Sequence, residues 1–200
     1  MQIDQKFCHV YKLSIGDSLI VHKENNRNLY LILEGVIVLS KVFTNEEILS
    51  IGIFSWQDII ITNFDNLSSP NYFYKVQAIC STYIISINRK NVTYTQKIIH
   101  MKSKQTSIKY QNMIEILAHK NIKHRFIQLL LTLCNICGII DKNYIEIQLS
   151  LSQTIIAAIL GSNRNTINQL IQEMQKKQLI YYAKNKIIIY NLLNLSQTIY

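Results

Sequence analysis

Residues 153–172 read QTIIAAILGSNRNTINQLIQ, a window that meets the demands of two helices crossing steeply over a three- to four-residue turn. Ala157, the fifth residue, is small enough for a second helix to approach. Gly161, the ninth, can take the left-handed backbone that such a turn requires. Apolar residues fill the fourth, eighth, fifteenth and eighteenth places (Ile156, Leu160, Ile167 and Leu170) and form the predicted shared core. Ser152 is the predicted cap of the first helix and Ser162 that of the second.

On the second helix Ile167, Leu170, Ile171 and Met174 recur at helical spacing and point inward, which leaves Arg164, Asn165, Asn168, Gln169 and Gln172 outside. Arginine forks onto guanine, and asparagine or glutamine onto adenine, so this outer face has the chemistry of the DNA major groove. Any one match also suits a solvated helix pair; the small residue, the glycine, four core places and the amide-rich face together favour a helix-turn-helix. Lys176 and Lys177 close the second helix. Strands over Leu179–Ala183 and Lys186–Tyr190, around Lys184-Asn185-Lys186, then predict a β-hairpin wing that sets two lysines against phosphates.

Upstream, an apolar helix runs from about Lys123 to Cys137 and stops at Gly138, read as an ordinary glycine helix end. Before it, Lys90 to about Ala118 carries Ile98, Met101, Ile108, Ile114 and Leu117. Positions 98, 101, 105, 108 and 112 keep heptad spacing, but two of them are Gln105 and Asn112, so a helix covering another domain, with some self-association, is expected. From Phe7 to Asn88 short Ile-, Val-, Tyr- and Phe-rich stretches alternate with polar turns: Ser18–His22, Leu29–Leu33, Val36–Phe43, Ile48–Ile53, Tyr72–Cys80 and Tyr83–Ile87. These predict an all-β sandwich or barrel, with Gly16 and Gly35 at tight turns and Pro70 in an exposed loop, Asn66–Asn71. The expected class is α+β. Its parts are a β-roll sensor-like domain (1–88), a long connecting and dimerisation helix (89–118) and a winged helix-turn-helix (119–200).

Composition agrees. Two hundred residues suffice for a core without disulfides or metals, and 48% hydrophobic content with 16% charged excludes a disordered chain. Of the net charge of +9, residues 1–100 carry +1 and residues 101–200 carry +8, so the C-terminal half is the one suited to a polyanion. No run of eighteen apolar residues predicts a membrane span, and Met-Gln-Ile-Asp-Gln-Lys does not read as a signal peptide. Four cysteines, at 8, 80, 134 and 137, suit a reducing interior. The bias toward Ile, Asn and Lys fits an organelle or an A/T-rich bacterial genome.

Rival chemistries find little support. Cys134-x-x-Cys137 has redox or metal-ligand spacing, but it lacks a second pair and lies on an apolar helix, where cysteine packs as a small hydrophobe. Histidines 9, 22, 100, 119 and 124 form no His-x-His pair, and Asp58 and Asp65 have no partner legible in sequence. No Gly-rich phosphate loop and no serine nucleophile elbow occur, so neither an enzyme nor a metal site is expected. The alternatives kept open are a non-specific architectural nucleic-acid binder and a β-barrel enzyme with an accessory domain.

The run SQTIIAAILGSNRNTINQLIQEM with the wing YYAKNKIIIYN resembles the DNA-binding end of Crp/Fnr-type transcription regulators, most of all the cyanobacterial nitrogen-regulator branch and its red-algal plastid homologues. IEILAHKNIKHRFIQLLLTLC (Ile114–Cys134) is similar to that branch's interdomain region, and YLILEGVIVLSKVF (Tyr30–Phe43) to the family's β-roll. The resemblance implies a homodimer on a two-fold-related DNA site, RNA polymerase as a partner, nitrogen-controlled genes, and a plastid stroma or bacterial cytoplasm. It puts base-reading places on Arg164, Asn165 and Gln169 and phosphate-contacting places on Gln153, Thr154, Asn163 and Thr166. Ser152, Lys184 and Lys186 complete the expected backbone contacts. Only Arg164 matches the family among the base readers.

The family's cyclic-nucleotide members use a Gly-Glu and an Arg-Ser pair that Trp56–Ala78 lacks, so no cyclic nucleotide is expected. The iron–sulfur members' N-terminal cysteine cluster is absent too. For 2-oxoglutarate, which the nitrogen branch binds, Tyr72, Thr106 and Gln111 stand where that branch has Arg, Arg and Glu. Lys75 and Lys109 are the candidate substitutes for the missing cations.

Overall fold

The computed structural model describes residues 8–22, 28–62, 71–88 and 96–197, with side chains in the first helix from residue 104 onward. Asp65 and Pro70 lie outside the described residues, as do the side chains of Ile98, His100 and Met101. The chain divides into two compact units, Met1–Met113 and Ile114–Tyr200.

The N-terminal unit holds eight strands: β1 (Cys8–Leu13), β2 (Ser18–Val21), β3 (Asn28–Glu34), β4 (Val36–Phe43), β5 (Ile48–Ser55), β6 (Ile59–Ile61), β7 (Tyr72–Ala78) and β8 (Thr82–Asn88). They make two antiparallel sheets, ordered β1-β8-β3-β6 and β2-β7-β4-β5. Both sheets turn alternate residues into one core, in which Ile32 and Ile84 of the first meet Ile37, Phe54 and Val76 of the second. All six predicted strands are present, with ends shifted by up to two residues. β1 and β6 are additions: β1 is mostly exposed or half-buried along one sheet edge, and β6 is three isoleucines long. Gly16 and Gly35 do hold positive φ, +90° and +94°. At Gly35 any Cβ would also run into Thr82 and the Ser81 carbonyl, so the β3–β4 turn needs glycine on two counts.

Helix α1 (Gln96–Ala118) carries Thr106, whose buried Oγ1 donates to the Ile59 carbonyl at 2.7 Å, and Tyr110, whose hydroxyl donates to the Ile61 carbonyl at 3.3 Å. Both bonds go to β6, a short edge strand whose carbonyls the helix thereby satisfies. Asp58 has a partner that sequence could not give. Its Oδ2 accepts from the Ser55 amide at 2.8 Å and lies 3.2 Å from Lys109 Nζ, tying the β5–β6 turn to α1. Of the heptad positions, Gln105 and Ile108 are exposed and Asn112 is half-buried.

In the C-terminal unit α2 (Ile122–Cys137) begins at the cap Asn121, whose side chain accepts from the Lys123 amide. Phe126, Ile127, Leu129, Leu130 and Leu133 are its buried face. α2 ends at Gly138 as read from sequence, and there φ −72° and ψ 131° are extended backbone that opens a strand, β9 (Gly138–Ile140). Glycine is needed there because a Cβ would strike the Cys134 carbonyl and Ile145. β10 (Ile145–Ile147) follows, then α3 (Gln153–Leu160), α4 (Arg164–Lys176), β11 (Ile180–Ala183), β12 (Lys186–Ile189) and α5 (Leu192–Gln197). The strands form one antiparallel sheet, β11-β12-β10-β9. Among the described residues no helix is long and apolar enough to cross a membrane.

Candidate nucleic-acid interface

The two helices of the 153–172 window are α3 and α4, and Gly161 joins them at φ 62°, ψ 47°. Ser152 caps α3 as predicted, its Oγ accepting from the Ile155 amide at 3.2 Å. The second cap is Asn163 rather than Ser162: Asn163 Oδ1 accepts from the Thr166 amide at 2.8 Å. The left-handed Gly161 sends the Ser162 amide back to the Ala157 carbonyl, which uses Ser162 to close α3 and moves the start of α4 on by one residue.

Ile156, Ala157, Leu160 and Ile167 are buried as the core. Leu170 is only half-buried; Ile171 and Met174 take the inward places beyond Ile167. Arg164, Asn165, Gln169 and Gln172 are exposed on the outer face, and Thr154 is exposed on α3. Asn168 departs from that set, being half-buried with its Oδ1 accepting from Gln153 Nε2 at 3.0 Å. Neither α3 nor α4 has an acidic residue in its first turn, so their N-terminal amides and dipoles meet an approaching phosphate without a competing charge.

The wing is present. β11 and β12 pair from Ile180↔Ile189 to Ala183↔Lys186 around a two-residue turn, Lys184-Asn185. Tyr182 fixes it to the helices: its amide donates to Gln175 Oε1 at 2.9 Å and its hydroxyl to the Leu151 carbonyl at 2.5 Å. The cations of this surface differ in availability. Lys177 and Lys123 both reach Glu173 Oε1, at 2.7 and 3.3 Å, and Lys186 lies 3.7 Å from Glu146. Arg164, Lys176 and Lys184 have no carboxylate within ion-pair reach among the described residues.

Residues 124–198 match the family of Crp-like helix-turn-helix domains. The C-terminal unit is a Crp-like helix-turn-helix domain. Relatives extend the likeness along the chain. The HTH-type transcriptional regulator ycf28 of Porphyra purpurea is 29% identical over 94% of this chain and 81% of its own length, and the global nitrogen regulator of Synechococcus elongatus 25% identical over 91% and 86%. Over nine-tenths of its length the chain is thus homologous to the cyanobacterial global nitrogen regulator, with the Crp-like domain at its C-terminal end. Solved structures share its fold. A Crp-family regulator of Thermus thermophilus has a TM-score of 0.74 at 16% identity, covering 94% of this chain and 95% of that one, and FixK2 of Bradyrhizobium japonicum 0.72 at 14%, covering 95% and 96%.

The N-terminal unit does not bring the candidate effector residues together. Along β7, Tyr74, Val76 and Ala78 belong to the core, so alternation puts Tyr72 on the inner side and Lys75 on the outer. Lys109 is held by Asp58, Thr106 is buried on a backbone carbonyl, and Gln111 is exposed. The cation that does sit by Tyr72 is Lys41, missed in sequence. Its Nζ lies 4.1 Å from the Tyr72 ring centre and 5.7 Å from that of Tyr74. Only the β4–β7 register, which pairs Lys41 with Tyr74, reveals it.

Of the two spaced cysteines, Cys134 is half-buried with its thiol pushed up to about 11 by burial, and Cys137 Sγ donates to the Leu133 carbonyl at 3.3 Å. Among the described residues no group of His, Cys, Asp and Glu could hold a metal ion.

Proposed function

We propose that this regulator binds a two-fold-related DNA site as a homodimer, placing α4 in the major groove of each half-site. The observation that carries the reading is the exposed Arg164, Asn165 and Gln169 face on a helix whose capped N-terminus bears no acid and whose wing carries Lys184. In this reading those three residues read bases. Ser152, Gln153, Thr154, Asn163, Thr166, Lys184 and Lys186 meet the DNA backbone, with Ser152 and Asn163 doing so from the two helix caps.

The likeness to nitrogen regulators supports nitrogen-controlled genes as targets and RNA polymerase as the partner; the likeness to ycf28 supports a plastid stroma as the compartment. The division into a sensor-like domain (1–88), a dimerising helix (89–118) and a DNA-binding domain (119–200) belongs to the same proposal. The effector residues do not fit 2-oxoglutarate: a dicarboxylate needs fixed cationic donors, and Tyr72, Lys75, Lys109 and Gln111 supply none on one face.

Selection from randomised DNA with the full chain, followed by footprinting, tests the reading. Arg164→Ala is expected to cost roughly 1–3 kcal/mol at the selected site and to leave non-specific affinity nearly unchanged. Absence of a shared palindrome among enriched sequences would instead favour the architectural binder.

A further inference from the structure

Gln153 is the first residue of α3 and Asn168 the fifth of α4, and the 3.0 Å bond from Gln153 Nε2 to Asn168 Oδ1 joins two half-buried amides across the helix pair. Asn168 lies four residues after Arg164 and four before Gln172, so helical spacing stacks the three on one face. Two apolar side chains would hold the helices together without the cost of withdrawing amides from water. What an amide pair adds is orientation. A lone asparagine offers either its oxygen or its nitrogen to a neighbour, because the two ends exchange by rotation about one bond. In this structure Gln153 Nε2 donates to the Asn168 oxygen, which leaves the two N–H groups of Nδ2 for another partner.

We infer that Asn168 is a specificity-determining residue that donates Nδ2–H to a base in the major groove, and that Gln153 is the residue that positions it. This rests on α4 being the recognition helix. The groove edge facing Asn168 then presents an acceptor: guanine N7 or O6, adenine N7, or thymine O4. Cytosine, whose N4 amine would meet a donor with a donor, is disfavoured there.

Sequence selection with the full-length protein tests this on wild type, Asn168→Ala, Gln153→Ala, the double variant and Gln153→Glu. Asn168→Ala is expected to relax the preference at one base pair and to weaken the selected site about 3- to 10-fold, the worth of one hydrogen bond, with non-specific affinity unchanged. Gln153→Ala relaxes the same base pair on top of a loss common to all sequences from its backbone contact, and the double variant relaxes that preference no further than either single one. Gln153→Glu is the sharpest arm and is read by base identity, so a loss of folded protein cannot imitate it. A carboxylate cannot donate, so the Asn168 amide turns its N–H toward Glu and its oxygen outward, and the selected base shifts to one that presents an amine, cytosine or adenine. The added negative charge weakens all sequences alike.

An unchanged preference at that base pair in Asn168→Ala overturns the inference, as does an unchanged preference in Gln153→Ala. If wild type enriches no common site, or Arg164→Ala leaves the preference intact, the recognition-helix reading itself fails. If both behave as expected and only the Asn168 arms do not, this inference alone falls.

Discussion

Arg125 Nη1, from the first turn of α2, donates to the Leu160 carbonyl at 3.0 Å, the last residue of α3 before the helix-turn-helix glycine. Its Nε donates at 2.7 Å to the His119 carbonyl, between α1 and α2. One planar guanidinium thus satisfies two helix-end carbonyls that would otherwise lack donors. Lysine keeps the charge but has a single nitrogen on a flexible stem and cannot reproduce the fork. Arg125→Lys is expected to lower stability by about 1.5–3 kcal/mol, the range for bonds from a charged donor. A urea midpoint for the full chain equal to wild type would show the fork to be dispensable.

In the other unit, Gln57 holds φ 64° in the β5–β6 turn. Its amide donates to the Ile32 carbonyl at 2.9 Å, so the turn is held by β3 and cannot relax to relieve the side chain. An L-residue in this region carries roughly 1–2 kcal/mol of strain. Glycine removes it but gains freedom in the unfolded chain, which offsets about 0.4–1 kcal/mol. Gln57→Gly is therefore expected to stabilise by about 0.5–1 kcal/mol, seen as a higher thermal midpoint; a lower one would mean that the Gln57 side chain contributes packing that the turn needs.

These elements differ in how far sequence could reach them. The helix-turn-helix was legible because its constraints are local: Ala157, Gly161 and the apolar spacing all lie within one twenty-residue window. The cap was misassigned because Ser162 and Asn163 are both capping residues, and only the direction of the chain after Gly161 selects between them. β6, β9 and β10 are three residues each, too short for any period to register. The Lys41–Tyr72 contact, the Asp58–Lys109 pair and the Gln153–Asn168 bond each join separate elements, so they depend on register and helix crossing that no single stretch encodes.

Glu173 gives the C-terminal unit a pH dependence. Hydrogen bonds from Lys177 first, and then Lys123, hold its carboxyl below the usual glutamate range. A carboxyl whose value is lower in the folded than in the unfolded chain stabilises the fold at pH above the unfolded value. That contribution fades as pH falls through the glutamate range toward the folded value. The carboxylate is 40% exposed, so the effect is about 0.2–1 kcal/mol at neutral pH. Glu173→Gln should be less stable than wild type by that amount at pH 7, match it in acid, and approach it in high salt. A gap that persists unchanged in acid would assign the loss to packing instead of charge.

Lys186 is the wing cation with a competitor. Its Nζ lies 3.7 Å from Glu146 Oε2, and that carboxylate also accepts from Gln148 Nε2 at 3.0 Å, which keeps it beside the hairpin. For Lys186 to neutralise a phosphate it must leave this carboxylate, and the negative charge left behind repels the same phosphate. Glu146→Gln removes both costs while preserving size and hydrogen bonding. Non-specific DNA affinity is expected to rise about two- to fivefold, the worth of an exposed ion pair. The slope of log affinity against log salt should steepen by up to about 0.9, one more counterion released. Adding Lys186→Ala to Glu146→Gln should return the slope to its wild-type value. If Glu146→Gln changes neither affinity nor slope, Lys186 stays off the phosphates and the wing's grip falls to Lys184, whose ammonium has no carboxylate to leave.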